Sequence, residues 1–185
     1  EYNIKDFYKK NKNNVIDIIL IGSILKGKEK PNDIDIIIIF KEKKEIELEY
    51  QLRKELEVKL KQKIDITSKT YNEIFKTNFT IRETILKEGY SLINKINLSE
   101  GLGYKSKIIF NYNLKGKNNS ERMRFYYSLY GRNTEGILKI LKAEKFSDTI
   151  ILCPIENQEK MREYLQTWNI EFYEIPILIP TRIVS

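Results

Sequence analysis

Residues 20–40, LIGSILKGKEKPNDIDIIIIF, set two aspartates, Asp33 and Asp35, directly before a run of isoleucines and just after a Gly-Ser pair. Side chains on a strand alternate faces with a period of two. Asp33 and Asp35 therefore share one face, while Ile34, Ile36 and Ile38 share the other and point into a core. Two carboxylates this close repel each other, and without a cation or a donor one of them is pushed toward protonation. A divalent cation removes the conflict. The chain has no His and a single Cys, Cys153, so any metal must be held by oxygen, and Mg²⁺ is the expected ion.

A third acid repeats the arrangement. KIDIT places Asp65 between isoleucines on a short strand. If that strand lies beside IDIIIIF, Asp65 joins Asp33 and Asp35 on one face. Three carboxylates converging on a cation pair form the two-metal arrangement for in-line phosphoryl transfer. Ahead of them, Gly22 and Ser23 form a turn after a buried strand, where backbone N–H groups and a hydroxyl can approach phosphate oxygens closely. Lys26, Lys28 and Lys30 in the loop that follows can screen a triphosphate. The combination is sharper than its parts: strand, GS, a spacer of nine residues, an apolar-flanked DID, and a later strand Asp.

GSILKGKEKPNDIDIII resembles the signature of the DNA polymerase β-like nucleotidyltransferase superfamily, hG[GS]…DhDh, in the spacing of its small, minimal-type members, and Asp65 matches that family's third carboxylate. The resemblance covers roughly residues 1–98, with ILKEGYSLI as the helix that often closes such domains. It implies a mixed sheet flanked by helices and transfer of a nucleoside monophosphate from an NTP to an acceptor. Asp33 and Asp35 would bind two Mg²⁺ ions (Mn²⁺ is the expected substitute), with Asp65 joining them and helping to activate the acceptor. Gly22, Ser23 and Lys26 would bind the nucleotide. Asn32 stands where members of the superfamily often have Ser, and Asn can still form the turn.

The 185 residues suggest one domain or two small ones, and 41% hydrophobic residues suffice for a real core. The apolar runs are too short for a membrane span of about 20 residues. Nothing in the chain reads as a secretion signal, and a cytoplasmic location is expected. Cys153, in TIILCP, reads as a small buried hydrophobe.

Outward from the motif, EYNIKDFYKKNKN reads as a short helix, VIDIILIG as a strand, and KEKKEIELEYQLRKELEVKLKQ as a long helix. In that helix Ile46 and Tyr50, and Leu48, Leu52, Leu56 and Leu60, recur every four residues and form a stripe read as core. TYNEIFKT and NFTIRETILKEGYSLI read as helices, the second ending near Gly89. The turn-rich INLSEGLGYKS marks a boundary. The expected fold is α/β (α+β), with a nucleotidyltransferase domain over 1–98 and a second small, basic α/β domain over 99–185.

In the second domain KIIFNYNL and DTIILCP read as strands, and ERMRFYYSLYG as a helix capped by Ser120 and stopped by Gly131. TEGILKILKA and NQEKMREYLQTWN read as further helices. IEFYEIPILI reads as a last strand that Pro176 confines to an edge or a bulge.

Net charge is +7, and residues 101–132 carry seven Lys/Arg against one acid, Glu121. Such a segment suits a phosphate-rich partner. Lys115, Lys117, Arg122, Arg124 and Arg132 are the candidate acceptor-binding residues, interleaved with Phe110, Tyr112, Phe125, Tyr126, Tyr127 and Tyr130, whose rings can pack in a core or stack on unpaired bases. RNA, such as a tRNA end, is the expected acceptor, with a protein or small-molecule hydroxyl as alternatives. The opposing class is an inactive or antitoxin-like module that binds nucleic acid or a toxin partner on the same scaffold.

Overall fold

The computed structural model describes residues 4–76 and 81–183. Contacts divide the chain into two compact units, Glu1–Leu25 with Glu29–Tyr104, and Lys105–Ser185 with Lys26–Lys28.

The first unit is a five-stranded mixed sheet flanked by helices. Helix α1 (Ile4–Asn11) precedes strand β1 (Val15–Ile21) and strand β2 (Asp33–Phe40). Helix α2 (Ile46–Leu60) then crosses over to strand β3 (Lys63–Thr70). Short helices α3 (Tyr71–Ile74) and α4 (Arg82–Glu88) lead to strands β4 (Tyr90–Ser91) and β5 (Ile96–Asn97) and helix α5 (Leu98–Gly101). The strand order is β3-β2-β1-β4-β5. β1 pairs antiparallel with β2, whereas β2 and β3 are parallel and are joined by the helical crossover that such a pair needs.

The isoleucine-rich strands are buried on both faces. Ile34, Ile36 and Ile38 pack with Ile64 and Ile66 of β3 and with Leu52 and Leu56 of α2. Ile37 and Ile39 point the other way and meet Ile19, Ile21 and Ile85 of α4. The α2 stripe is narrower than its periodicity predicts: Leu52 and Leu56 are buried, but Ile46, Tyr50 and Leu60 are exposed. Leu48 packs against the same core, whereas Ile46 and Tyr50 lie on the opposite face of the helix and Leu60 stands at its end.

The expected closing helix is corrected. ILKEGYSLI does not form one helix: α4 ends at Glu88, and Tyr90–Ser91 become β4, paired with Leu20 and Ile19 of β1. Gly89 is extended there, and any β-carbon on it would collide with the Ile85 carbonyl oxygen. Residues 78–80 of the segment read as the start of that helix lie outside the described residues.

The second unit is a four-stranded sheet, order β7-β8-β6-β9, formed by β6 (Tyr104–Asn113), β7 (Glu144–Ser147), β8 (Ile150–Pro154) and β9 (Glu171–Pro180). Helices α6 (Asn119–Tyr130), α7 (Ile137–Ile140) and α8 (Gln158–Thr167) supply Phe125, Leu129, Leu138, Met161 and Leu165 to its core. Cys153 is buried among them. β9, which carries Pro176, lies at the sheet edge.

The α6 cap is Asn118, not Ser120. Its side chain accepts from the Glu121 N–H at 2.9 Å, and Glu121 returns a bond to the Asn118 N–H at 2.8 Å. This reciprocal capping satisfies two otherwise orphaned donors.

Candidate functional site

The parallel β2–β3 pairing brings the acids together. Asp35 stands opposite Asp65, and Asp33 opposite Lys63. Strand alternation puts Asp33, Asp35 and Asp65 on the face away from Ile34, Ile36, Ile64 and Ile66. Asp33 and Asp35 are partly buried and Asp65 is exposed, because the sheet face around β3 is left open there. Lys63, two residues before Asp65, is the one cation of the group that the sequence reading missed. Its signal was its place in KID, in step with Asp65.

The crowding has an electrostatic signature. Burial and then the charges of Asp33 and Asp65 raise the Asp35 pKa above the usual carboxylate value, with Lys63 pulling the other way.

Gly22 follows β1 at the point where Ile21 faces Asp35. Its φ is +95°, and a β-carbon would fall 2.3 Å from Asp35 Oδ2. Conformation therefore favours glycine there, and any β-carbon would also push aside the carboxylate that lies against the backbone. Ser23 opens a single 3₁₀ turn, Ser23–Lys26, closed by a bond from the Leu25 N–H to the Gly22 carbonyl at 3.2 Å. Lys26 sits at the end of that turn and groups with the second unit.

The donor set fits a hard divalent cation: three carboxylates, no sulfur or imidazole, and excess negative charge that a cation would relieve. Among the described residues no three acidic side chains converge into a closed cation cage. The carboxylates are aligned along one open face without being drawn together.

The acceptor candidates are scattered in role. Lys115 and Arg124 are exposed, and Lys117 is partly so. Arg122 donates to the carbonyls of Lys117 and Leu114 at 3.0 and 3.1 Å, so its guanidinium braces the turn after β6. The Arg132 guanidinium lies 4.7 Å from the centre of the Tyr127 ring. Lys107, part of the same basic segment, is buried and paired with Glu144 at 2.7 Å. Of the aromatics, Phe110, Tyr112 and Phe125 belong to the core, while Tyr127 and Tyr130 are exposed.

Residues 2–97 match the family model described as "Polymerase beta, Nucleotidyltransferase". No curated protein matches the chain. Among solved structures, a toxin-antitoxin crystal structure with AMP-PNP is 20% identical at a TM-score of 0.38, over 49% of this chain and 69% of that one. A mutant of the toxin-antitoxin MntA-HpeT is 16% identical at a TM-score of 0.38, over 48% and 68%.

Proposed function

The chain belongs to the polymerase beta nucleotidyltransferase family, and from that premise we propose that it moves a nucleoside monophosphate from an NTP to a hydroxyl on RNA. The observation that carries the reading is the parallel pairing of Asp35 with Asp65, with Asp33 two residues away on the same face. Asp33, Asp35 and Asp65 would hold the divalent ions, Mg²⁺ by preference. When bound, such ions neutralise the triphosphate and lower the pKa of the attacking hydroxyl.

The chain's own groups do the rest. Gly22 and Ser23 offer a backbone N–H and a hydroxyl to the triphosphate, and Lys26 adds charge at the end of the same turn. Asp65, the most open of the three acids, faces the acceptor and takes the proton of its hydroxyl. The acceptor oxygen bonds to the α-phosphorus as the bond from that phosphorus to the bridging oxygen breaks, and pyrophosphate leaves. Lys115, Lys117, Arg124 and Arg132 are the cations assigned to the acceptor's phosphates, with Arg122 supporting their turn.

The test is label transfer from each α-³²P NTP with Mg²⁺ into small RNA, protein and small-molecule hydroxyls, beside the Asp35→Asn variant. Label in RNA that vanishes in the variant supports the proposal. Undiminished transfer by a folded Asp35→Asn protein would refute the metal assignment, and label in protein alone would move the acceptor.

The opposing reading is a binding module of antitoxin type on the same scaffold, without turnover. It predicts no label in any fraction and partner binding indifferent to Mg²⁺.

A further inference from the structure

Helix α6 leaves an aromatic stripe uncovered beside the β7–β8 hairpin. Met123, Tyr126 and Tyr130 follow one another along a single helix face, and with Lys145 and Asp148 they line a recess of about 410 Å³. The Tyr126 and Tyr130 rings lie nearly parallel, 19° apart in plane with centres separated by 5.9 Å. Beneath them the buried Tyr112 hydroxyl donates to the Asp148 carbonyl at 2.8 Å, which pins the hairpin turn to the core. At the rim Lys145 Nζ is 2.7 Å from Asp148 Oδ1 and 5.6 Å from the centre of the Tyr130 ring.

We infer that this recess takes one unpaired nucleobase of single-stranded RNA. The inference deepens the acceptor reading above and rests on it for the choice of RNA. Two observations converge. The stripe exposes Met123 and Tyr130 at 47% and 41%, a cost in water that stacking against a flat ring offsets. Cations border the helix face: Lys145 stands at the rim, paired with Asp148, Arg132 lies over Tyr127, and Arg124 sits one helical turn before Tyr127. A flat apolar wall bordered by cations complements a base attached to a phosphate chain. Bases inside a duplex have no free face to offer, so single strands are selected.

The test is fluorescence anisotropy of the full chain with an end-labelled RNA of about ten nucleotides, single-stranded and as the matching duplex. The same preparations are assayed for label transfer. The wild type is expected to prefer the single strand. Tyr126→Leu and Tyr130→Leu should weaken it about tenfold or more, and Tyr130→Phe, which keeps the ring, by less than about twofold. Lys145→Gln should lower the salt slope of binding by roughly one. Circular dichroism and melting establish that each variant is folded. If Tyr130→Leu unfolds the unit, the exposed Lys145→Gln variant decides by its slope.

A folded Tyr130→Leu protein that binds like wild type, an unchanged slope in Lys145→Gln, or equal affinity for duplex overturns the recess and leaves RNA as acceptor. No RNA binding by the wild type, with label still reaching protein or small molecules, overturns the recess and the RNA reading together while leaving nucleotidyl transfer in place.

Discussion

Replacing Gly22 by Ala strains the site at its narrowest point. The backbone there has φ +95°, a conformation that costs an L-residue about 1–2 kcal/mol. The new β-carbon would also stand 2.3 Å from Asp35 Oδ2, where real contacts essentially never fall under 3.0 Å, a shortfall of about 0.7 Å. Asp35 must retreat, although it already sits among Asp33, Asp65 and Lys63. The backbone penalty alone should lower the melting temperature of the chain by roughly 2–8 °C. The displaced carboxylate should abolish nucleotidyl transfer. The decisive assay is a double-mutant cycle with Asp35→Ala, followed by thermal denaturation. In the Asp35→Ala background the nearest remaining atom of residue 35 is its Cβ at 3.5 Å, an ordinary contact, so only the backbone penalty survives there. The two substitutions should be coupled by at least about 0.5 kcal/mol. Additivity to within about 0.3–0.5 kcal/mol, or a Gly22→Ala protein as stable as wild type, would refute the close approach of Gly22 to Asp35.

Three other perturbations have defined outcomes. Asp17 is buried in β1, where it accepts from the Ser91 hydroxyl at 2.9 Å and the Ile18 N–H at 2.7 Å, yet burial outweighs these bonds and raises its pKa. The ionised side chain thus costs stability that is fully felt above the raised pKa and relieved below the ordinary carboxylate value. The melting temperature of Asp17→Asn relative to wild type should therefore climb as pH rises through that window, and a difference that ignores pH would contradict the assignment. At the α6 terminus, Asn118→Ala should cost about 1 kcal/mol while Ser120→Ala stays within about 0.5 kcal/mol, as read from denaturant midpoints. Burial pushes the Cys153 thiol up to about 12, so a thiol reagent should leave the native protein unmodified at neutral pH and react only on unfolding.

Much of the first unit was legible in the sequence because its signals were dense. The run of β-branched isoleucines, bounded by turn residues, reads as a strand buried on both faces, and the charged, apolar-striped stretch before KIDIT reads as the long helix that the structure places between the parallel strands β2 and β3. Whether Asp65 joins Asp35 depends on β3 lying beside β2 in this register, which only the structure supplies. β4 was hidden because YSLI continues the apolar spacing of α4. The choice of strand was made elsewhere, by β1, which needed a partner for Ile19 and Leu20. β7 was missed for the opposite reason: EKFS is exposed at every position, so no alternation marks it, and only its pairing with β8 defines it. The roles of the basic segment were the least legible. Whether a guanidinium meets solvent, a ring or a carbonyl is decided by neighbours far along the chain, as Lys107 with Glu144 illustrates.

Because the three acids ride on two paired strands, the hydrophobic core also serves as their alignment gauge. A one-residue slip of β3 against β2 would turn Asp65 inward and swing Ile64 and Ile66 out to water. Each isoleucine so exposed forfeits about 1.5–3 kcal/mol. The misaligned state is thus suppressed without any contact between the acids themselves. Trimming Ile64 or Ile66 to alanine would loosen that gauge, and under the proposed function such variants would transfer slowly with all three aspartates still in place.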